Sequence, residues 1–222
     1  ILARGGSAGI PKKNIKNFCG KPLLEWTINH CINSKIDKTF VSSDSQEILK
    51  FSKKIGADVI IRPKSLSHGT SSSESGWCHA LDNLKNQGIF PKWVVAPQVT
   101  SPLRLSKDIN RGIKIAKSNK FDSLFSASES EDICLWEKRK NNFFCLNYDW
   151  KNRKPRQEKN IQYIENGSFY IFRPEILIKH NNRLGGKIGI IPMKFWQMFE
   201  IDDFDDFKLC EIIMKKFILK NT

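Results

Sequence analysis

Chemistry is most concentrated in the run Ala3–Asn14, ARGGSAGIPKKN, where Arg4 stands at one end, Lys12 and Lys13 at the other, and Gly5, Gly6, Ser7 and Gly9 between them. Glycines let backbone N–H groups approach an oxyanion closely and the flanking cations neutralise its charge, so these residues suit a phosphate cradle. A P-loop needs G-x-x-x-x-G-K-[ST]. Here Gly9 is followed by Ile10 and Pro11, which excludes that pattern. Taken alone, the loop also reads as an ordinary Gly-rich turn after a strand.

A second polar group lies near the other end of the chain. In EIDD, the carboxylates of Glu200 and Asp202 are two residues apart. In an extended segment they face one side and can share a hard cation. Acidic residues directly before a helix are also ordinary N-terminal caps. In PQVTSPLR, Gln98, Ser101 and Arg104 follow an apolar run, and the alternative there is a proline-ordered turn. Ser73, at the start of a helical pattern, reads equally as a cap. His68 and His79 stand apart from any Ser or Asp arrangement that would make a triad.

These groups need a scaffold. Short apolar runs alternate with longer segments of helical spacing, the pattern of an α/β domain with a mostly parallel sheet. Strands are expected at Ile1–Ala3, Thr39–Ser42, Asp58–Ile61, Trp93–Ala96, Ser123–Ser126 and Asn166–Phe172. Helices are expected at Pro22–Asn33, Gln46–Ile55, Ser72–Asn86, Ser106–Ser118 and Phe204–Phe217, with Pro22 at the first helical position. From about Cys134 to Ile161 the text is polar, basic and aromatic without clear period, and is expected to project from the core. Ligands of open α/β sheets bind beyond the carboxyl ends of the strands. Arg4–Lys13, Ser43 and Asp44, Arg62, and Pro97–Arg104 all follow expected strands, which strengthens the phosphate reading.

Composition narrows the classes. A chain of 222 residues can bury one sizeable core. No apolar run approaches the roughly 18 to 20 residues of a membrane span. No signal peptide is visible, although the first strand starts abruptly at Ile1, as it would if residues preceded it. The six cysteines are scattered, with no C-x-x-C pair, and read as reduced thiols of a cytoplasmic protein without zinc. A net charge of +14 raises nucleic-acid binding as the non-enzymatic reading. Lysines spread over nearly every segment, rather than gathered in a stripe with stacking aromatics, argue against it. The denser run Lys138–Arg156 is the exception.

ARGGSAGIPKKNIKNFCGKPLLEWTI resembles the nucleotide-binding signature of the acylneuraminate cytidylyltransferases, the CMP-sialic acid synthetases. VSSDSQEI, IIRPKSL, TSSSES, PQVTSPLR, Arg156–Gln157, YIENGSFYI and EIDDFDDF continue the likeness in the same order. It implies one cytidylyltransferase domain over residues 1–222, Rossmann-like, with a mostly parallel sheet, helices on both faces and a dimerisation extension at about 134–161. The implied reaction transfers CMP from CTP to the anomeric hydroxyl of a nonulosonic (sialic-acid-like) acid, releasing pyrophosphate with Mg²⁺, in a cytoplasmic homodimer. Attack on a polyanion by a hindered hydroxyl makes charge neutralisation and positioning the main catalytic need.

The resemblance implies catalytic roles for Arg4, Lys13 and Asp202. It implies nucleotide contacts from Leu2, Ala3, Arg4, Gly6, Ser7, Gly9, Lys13, Asn14, Arg62 and Ser73, and metal binding by Asp202 with Glu200. Sugar contacts would come from Gln98, Ser101, Arg104, Arg156, Gln157, Asn166 and Tyr170, with Arg156 suited to the sugar carboxylate. Asp203, Asp205 and Asp206 are left to start the helix. The chain departs from the family in carrying Ala8 where relatives read RGGSKG, and Gly69 where they carry Asp. The departures keep open a CTP-binding homologue with catalysis impaired by Ala8, and a synthetase for the eight-carbon acid Kdo is the alternative on substrate.

Overall fold

The computed structural model describes residues 1–221 apart from 8, 119, 131, 132 and 159, and leaves out the side chains of 156 and 221. After the glycine loop, β1 (Asn17–Phe18) and β2 (Lys21–Pro22) pair antiparallel across a turn at Cys19 and Gly20, whose φ angles are 49° and 89°. Helix α1 (Leu23–Ile32) follows, with Pro22 as its N-cap, one position before the expected N1. Strand β3 (Phe40–Ser43), α2 (Gln46–Lys54) and β4 (Asp58–Ile61) form a βαβ unit whose strands pair parallel. The expected first strand is reduced to a single parallel bridge, Leu2 to Ser42. Next come α3 (Ser73–Asn86), β5 (Val94–Pro97), α4 (Ser106–Ser118) and β6 (Ser123–Ser130).

The polar stretch after β6 forms a hairpin, β7 (Trp136–Arg139) with β8 (Asn142–Cys145), paired among the described residues only with itself. Strand β9 (Gln162–Phe172), α5 (Pro174–His180), β10 (Ile188–Met193) and α6 (Phe204–Phe217) complete the order.

The four-stranded sheet runs β10-β6-β9-β5 and is mixed. β10 is parallel to β6, whereas β9 is antiparallel to both β6 and β5, which corrects the expectation of a mostly parallel sheet. The physical cause is topological. β9 arrives by way of the β7–β8 excursion instead of a helical crossover, so nothing obliges it to run with its neighbours.

Alternation along β9 dresses both faces of this sheet with helices. Phe169 and Ile171 pack with Ile109 and Ala116 of α4. Gly112 lets that helix sit close, because a Cβ there would lie 2.8 Å from Ile191 Cδ1. Tyr170 and Phe172 turn the other way, onto Trp77 of α3 and Leu177 of α5. Helix α6 buries Phe207, Cys210, Ile213 and Met214 in a third cluster with Phe18 and α1, where the Phe18 and Phe207 rings meet edge-on at 5.3 Å. That packing sets the height of Glu200–Asp203, which enters α6. Among the described residues no helix is long and apolar enough to cross a membrane.

Candidate active site

The glycine loop is pinned at both ends before it meets any ligand. Ala3 N–H donates to Ser42 O (3.0 Å), and Gly5 N–H donates to Asp44 Oδ1 (2.9 Å) at the end of β3. At the far end the buried Asn14 donates from Nδ2 to Arg4 O (2.9 Å). Gly9 must be glycine for a steric reason, since a Cβ there would collide with the carbonyl of Asp202. Lys13 reaches the same segment: its Nζ donates to Ile201 O (2.7 Å) and lies 3.9 Å from Asp202 Oδ1. The loop that begins the chain is therefore latched to the strap Glu200–Asp202. Lys12 does not join it. Its Nζ lies 3.0 Å from Glu47 Oε2 on α2, an exposed surface pair.

In the strap, Ile201 is fully buried and its N–H donates to Thr100 O (2.8 Å), so Glu200 and Asp202 on either side turn outward into the cleft. The helix cap is Asp203, whose Oδ1 accepts from the N–H groups of Asp205 (2.9 Å) and Asp206 (3.0 Å). Asp206 in turn accepts from the N–H groups of Asp202 and Asp203. Capping thus leaves the Asp202 carboxylate unused. Partial desolvation, and then the neighbouring Asp202 charge, push the Glu200 carboxyl up, opposed by a hydrogen bond from Ser101 Oγ and by Lys13. Two outward carboxylates beside an anion cradle fit a hard divalent cation, which is held by one or two carboxylates and completed by phosphate oxygens and water. Among the described residues no cluster of three or more His, Cys, Asp or Glu offers another site.

Loop, strap and the start of α3 enclose a cleft of about 650 Å³. Leu2, Arg4, Ser7, Gly9, Lys13, Asn14, Arg62, Ser73, Gln98, Glu200 and Asp202, all singled out from the sequence, line it. Arg62 leaves β4 with its N–H bonded to Ser43 O (2.8 Å) and its Nε donating to Ser67 Oγ (3.0 Å). Burial lowers its pKa, Asp44 opposes that, and Arg4 adds to it. Gly76 lets α3 close over this side, because a Cβ there would lie 3.0 Å from Leu2 Cδ1 and 3.1 Å from Arg62 Nη1. The cap of α3 is Ser72, whose Oγ accepts from Ser75 N–H (3.2 Å), and Ser73 is the first helical residue.

Other expected residues lie elsewhere. Arg104 is fully buried: Nη1 donates to Ser168 O (3.0 Å), and Nη2 to Gln98 O (2.6 Å) and Thr27 Oγ1 (2.8 Å). Burial pushes its pKa down to about 10. These bonds tie Gln98, in the loop after β5, to Thr27 of α1 and Ser168 of β9, and Arg104 does not line the cleft. Ser101 and Asn166 are buried, and Asn166 Oδ1 accepts from Ser126 Oγ (2.6 Å). Tyr170 is buried behind Trp77, donating to Glu165 Oε1 (2.5 Å), and burial raises its pKa. Ala3 lies beneath the loop, and Gly6 is exposed on it. Arg156 and Gln157 are in a short 3-10 turn, Arg156–Glu158, with Gln157 exposed. Ala8 and the side chain of Arg156 lie outside the described residues.

The cleft also holds residues that the sequence reading missed or set aside. His68, Ser71, Trp77 and Thr100 line it. Gly69 faces Arg4, as a Cβ there would lie 3.7 Å from Arg4 Nη1. Gly167, at φ 62°, sits where a Cβ would come within 3.2 Å of Glu200 Oε2 and 3.7 Å of Gln98 Nε2. A glycine inside a strand pattern is the one signal that could have marked this approach.

A family model described as Cytidylyltransferase matches residues 1–199. N-acylneuraminate cytidylyltransferase A of Danio rerio is 32% identical over 216 residues, covering 95% of this chain and 49% of that protein. Pseudaminic acid cytidylyltransferase of Campylobacter jejuni subsp. jejuni serotype O:2 is 30% identical over 222 residues, 97% of this chain and 94% of that one. The chain thus spans about half the length of the fish relative and nearly all of the bacterial one. Among solved structures, CMP:2-keto-3-deoxy-manno-octonic acid synthetase complexed with CTP aligns with a TM-score of 0.68 at 9% identity, covering 97% of this chain and 96% of that one. A 4-diphosphocytidyl-2C-methyl-D-erythritol synthase from Anaerococcus prevotii DSM 20548 aligns at 0.64 and 13%, covering 97% of both. At these identities the likeness is one of fold.

Proposed function

We infer that this chain, which belongs to the cytidylyltransferase family, transfers CMP from CTP to a nonulosonic acid of the neuraminic or pseudaminic type. The observation that carries the reading is the gathering of Arg4, Lys13 and Arg62 with Glu200 and Asp202 around one cleft. In the reaction so read, the sugar's anomeric oxygen bonds to the α-phosphorus while the bridge from that phosphorus to the β-phosphate breaks. Pyrophosphate leaves with the electron pair, and the hydroxyl proton is lost.

Arg4 and the backbone N–H groups of Gly6, Ser7 and Gly9 are assigned to the charge developing on the α-phosphate, and Lys13 to the triphosphate. Leu2, Asn14, Arg62 and Ser73 are assigned to the nucleoside end, and Gln98, with Arg156 and Gln157, to the sugar. When bound at Asp202 and Glu200, Mg²⁺ supplies charge neutralisation and polarisation of the phosphoryl oxygens. Cys19, Cys31, Cys78, Cys145 and Cys210 are free thiols, which supports a reducing, cytoplasmic setting.

Pyrophosphate release measured across CTP, ATP and GTP, with a panel of neuraminic, legionaminic and pseudaminic acids and Kdo, tests the reading. CTP with one nine-carbon acid is expected to exceed the other triphosphates by on the order of a hundredfold, because a site that hydrogen-bonds a base rejects analogues that leave its polar groups unpaired. Release independent of the base, or with Kdo alone, would overturn it.

The same reading takes residues 1–222 as one domain that dimerises through its extension at about 134–161. Phe143, in the hairpin, is 64% exposed and Trp150, five residues beyond it, 55%, and among the described residues the hairpin pairs with no other strand. Such an apolar surface fits a second copy better than solvent. Sedimentation of Phe143→Asp/Trp150→Asp should give a monomer where the parent is a dimer. A variant that sediments as the parent does would remove the hairpin from the interface.

A further inference from the structure

Arg183, in the loop after α5, lies outside the cleft yet grips the helix that walls it. Its Nε stands 3.0 Å from Glu74 Oε1, with side-chain exposures of 24% and 12%. Its guanidinium carbon lies 4.4 Å from the centre of the Tyr170 ring and 5.1 Å from that of Trp77. A flat guanidinium against two aromatic faces, with a carboxylate accepting from it, combines a charge-assisted hydrogen bond with cation–π attraction.

The groups it joins belong to different elements. Glu74 is in the first turn of α3, next to Ser73, and Trp77 follows on the same helix and lines the cleft. Tyr170 is fixed in β9, both by its pairing with Phe125 and by its bond to Glu165. The contact of α3 with Leu2 and Arg62 is made across Gly76, which allows close approach but offers no side chain to hold it. Arg183 supplies that hold from behind.

We propose that Arg183 is a positioning residue for the nucleotide: by pairing with Glu74 and resting on Trp77 and Tyr170, it fixes the first turn of α3 as a wall of the cleft. The proposal rests on the reading of that cleft as a CTP site, and its test has one readout that does not.

In Arg183→Ala, hydrogen exchange at the amides of residues 75–78 should accelerate by about tenfold while α4 keeps its protection. The KM for CTP should rise about tenfold, with kcat and the KM for the sugar acid changing by less than about twofold. Arg183→Lys retains the pair with Glu74 without the flat stack, and should recover part of the CTP affinity. Unchanged exchange in α3 would overturn the clamp. Faster exchange with an unchanged KM for CTP would overturn its role in positioning the nucleotide. A parent protein inert toward CTP would instead overturn the reading of the cleft, and the exchange data would still decide whether Arg183 holds α3.

Discussion

Asp202→Asn is expected to lower turnover by about a thousandfold or more while shifting the melting temperature by no more than about 2 °C. The two halves of this expectation come from different contacts. Stability at the start of α6 rests on Asp203 and Asp206, which exchange the capping hydrogen bonds between them. Asp202 contributes its backbone N–H to that arrangement, and among the described residues its carboxylate, 79% exposed, pairs with Lys13 at 3.9 Å. A long pair made by a solvent-exposed carboxylate adds little to stability. On the proposed reading, the same carboxylate is one of the two that would hold Mg²⁺, and an amide oxygen carries no charge to replace it. Asp203→Ala should give the converse, a loss of about 1 kcal/mol of stability with turnover preserved. An Asp202→Asn protein that unfolds, or that keeps its magnesium-dependent rate, would show that the residue serves the helix.

Ala8→Lys is expected to raise turnover by about tenfold to a hundredfold, the effect of one well-placed charge on a transition state. The motif that this chain resembles carries a lysine at that position. Lys12 is not a substitute, because its ammonium is turned to Glu47 on α2 at 3.0 Å while Lys13 faces the strap. The loop therefore brings Arg4 and Lys13 to the cleft where the resembled motif would bring a third cation. Steady-state kinetics of parent and variant side by side decide the matter. A parent already fast, and unmoved by the added lysine, would show that the missing charge is met elsewhere in the cleft.

Legibility in the sequence followed the range of the forces involved. Helices α4 and α6 and strand β4 have the bounds that their patterns predict, since periodicity and end signals are local. Strand β10 was missed because IGIIPM carries Gly189 and Pro192, residues that count against a strand. Proline is tolerated there because β10 lies at the sheet edge. The direction of β9 was not legible at all, being decided by how the chain returns from the hairpin. In the site, the glycines and cations of the loop announced themselves by type and spacing. The burial of Arg104 was illegible for the opposite reason. An arginine after Ser-Pro-Leu looks like a surface cation, and its burial depends on carbonyls and a hydroxyl at Gln98, Ser168 and Thr27, two of them remote in sequence.

The bond from Lys13 to the Ile201 carbonyl joins residues 188 positions apart. On a ribosome, which delivers amino acids from the N-terminus at about 5–20 per second, the loop emerges before the strap and waits roughly 10 to 40 seconds for it. Until then its cations stand without the carbonyl and carboxylate that later hold Lys13, and the cleft lacks the wall formed by the strap. A ligand that needs the strap cannot assist early folding and stabilises only a chain translated past Asp202. Truncated products should accordingly gain no heat resistance from nucleotide. Ligand rescue would then separate finished molecules from abandoned ones.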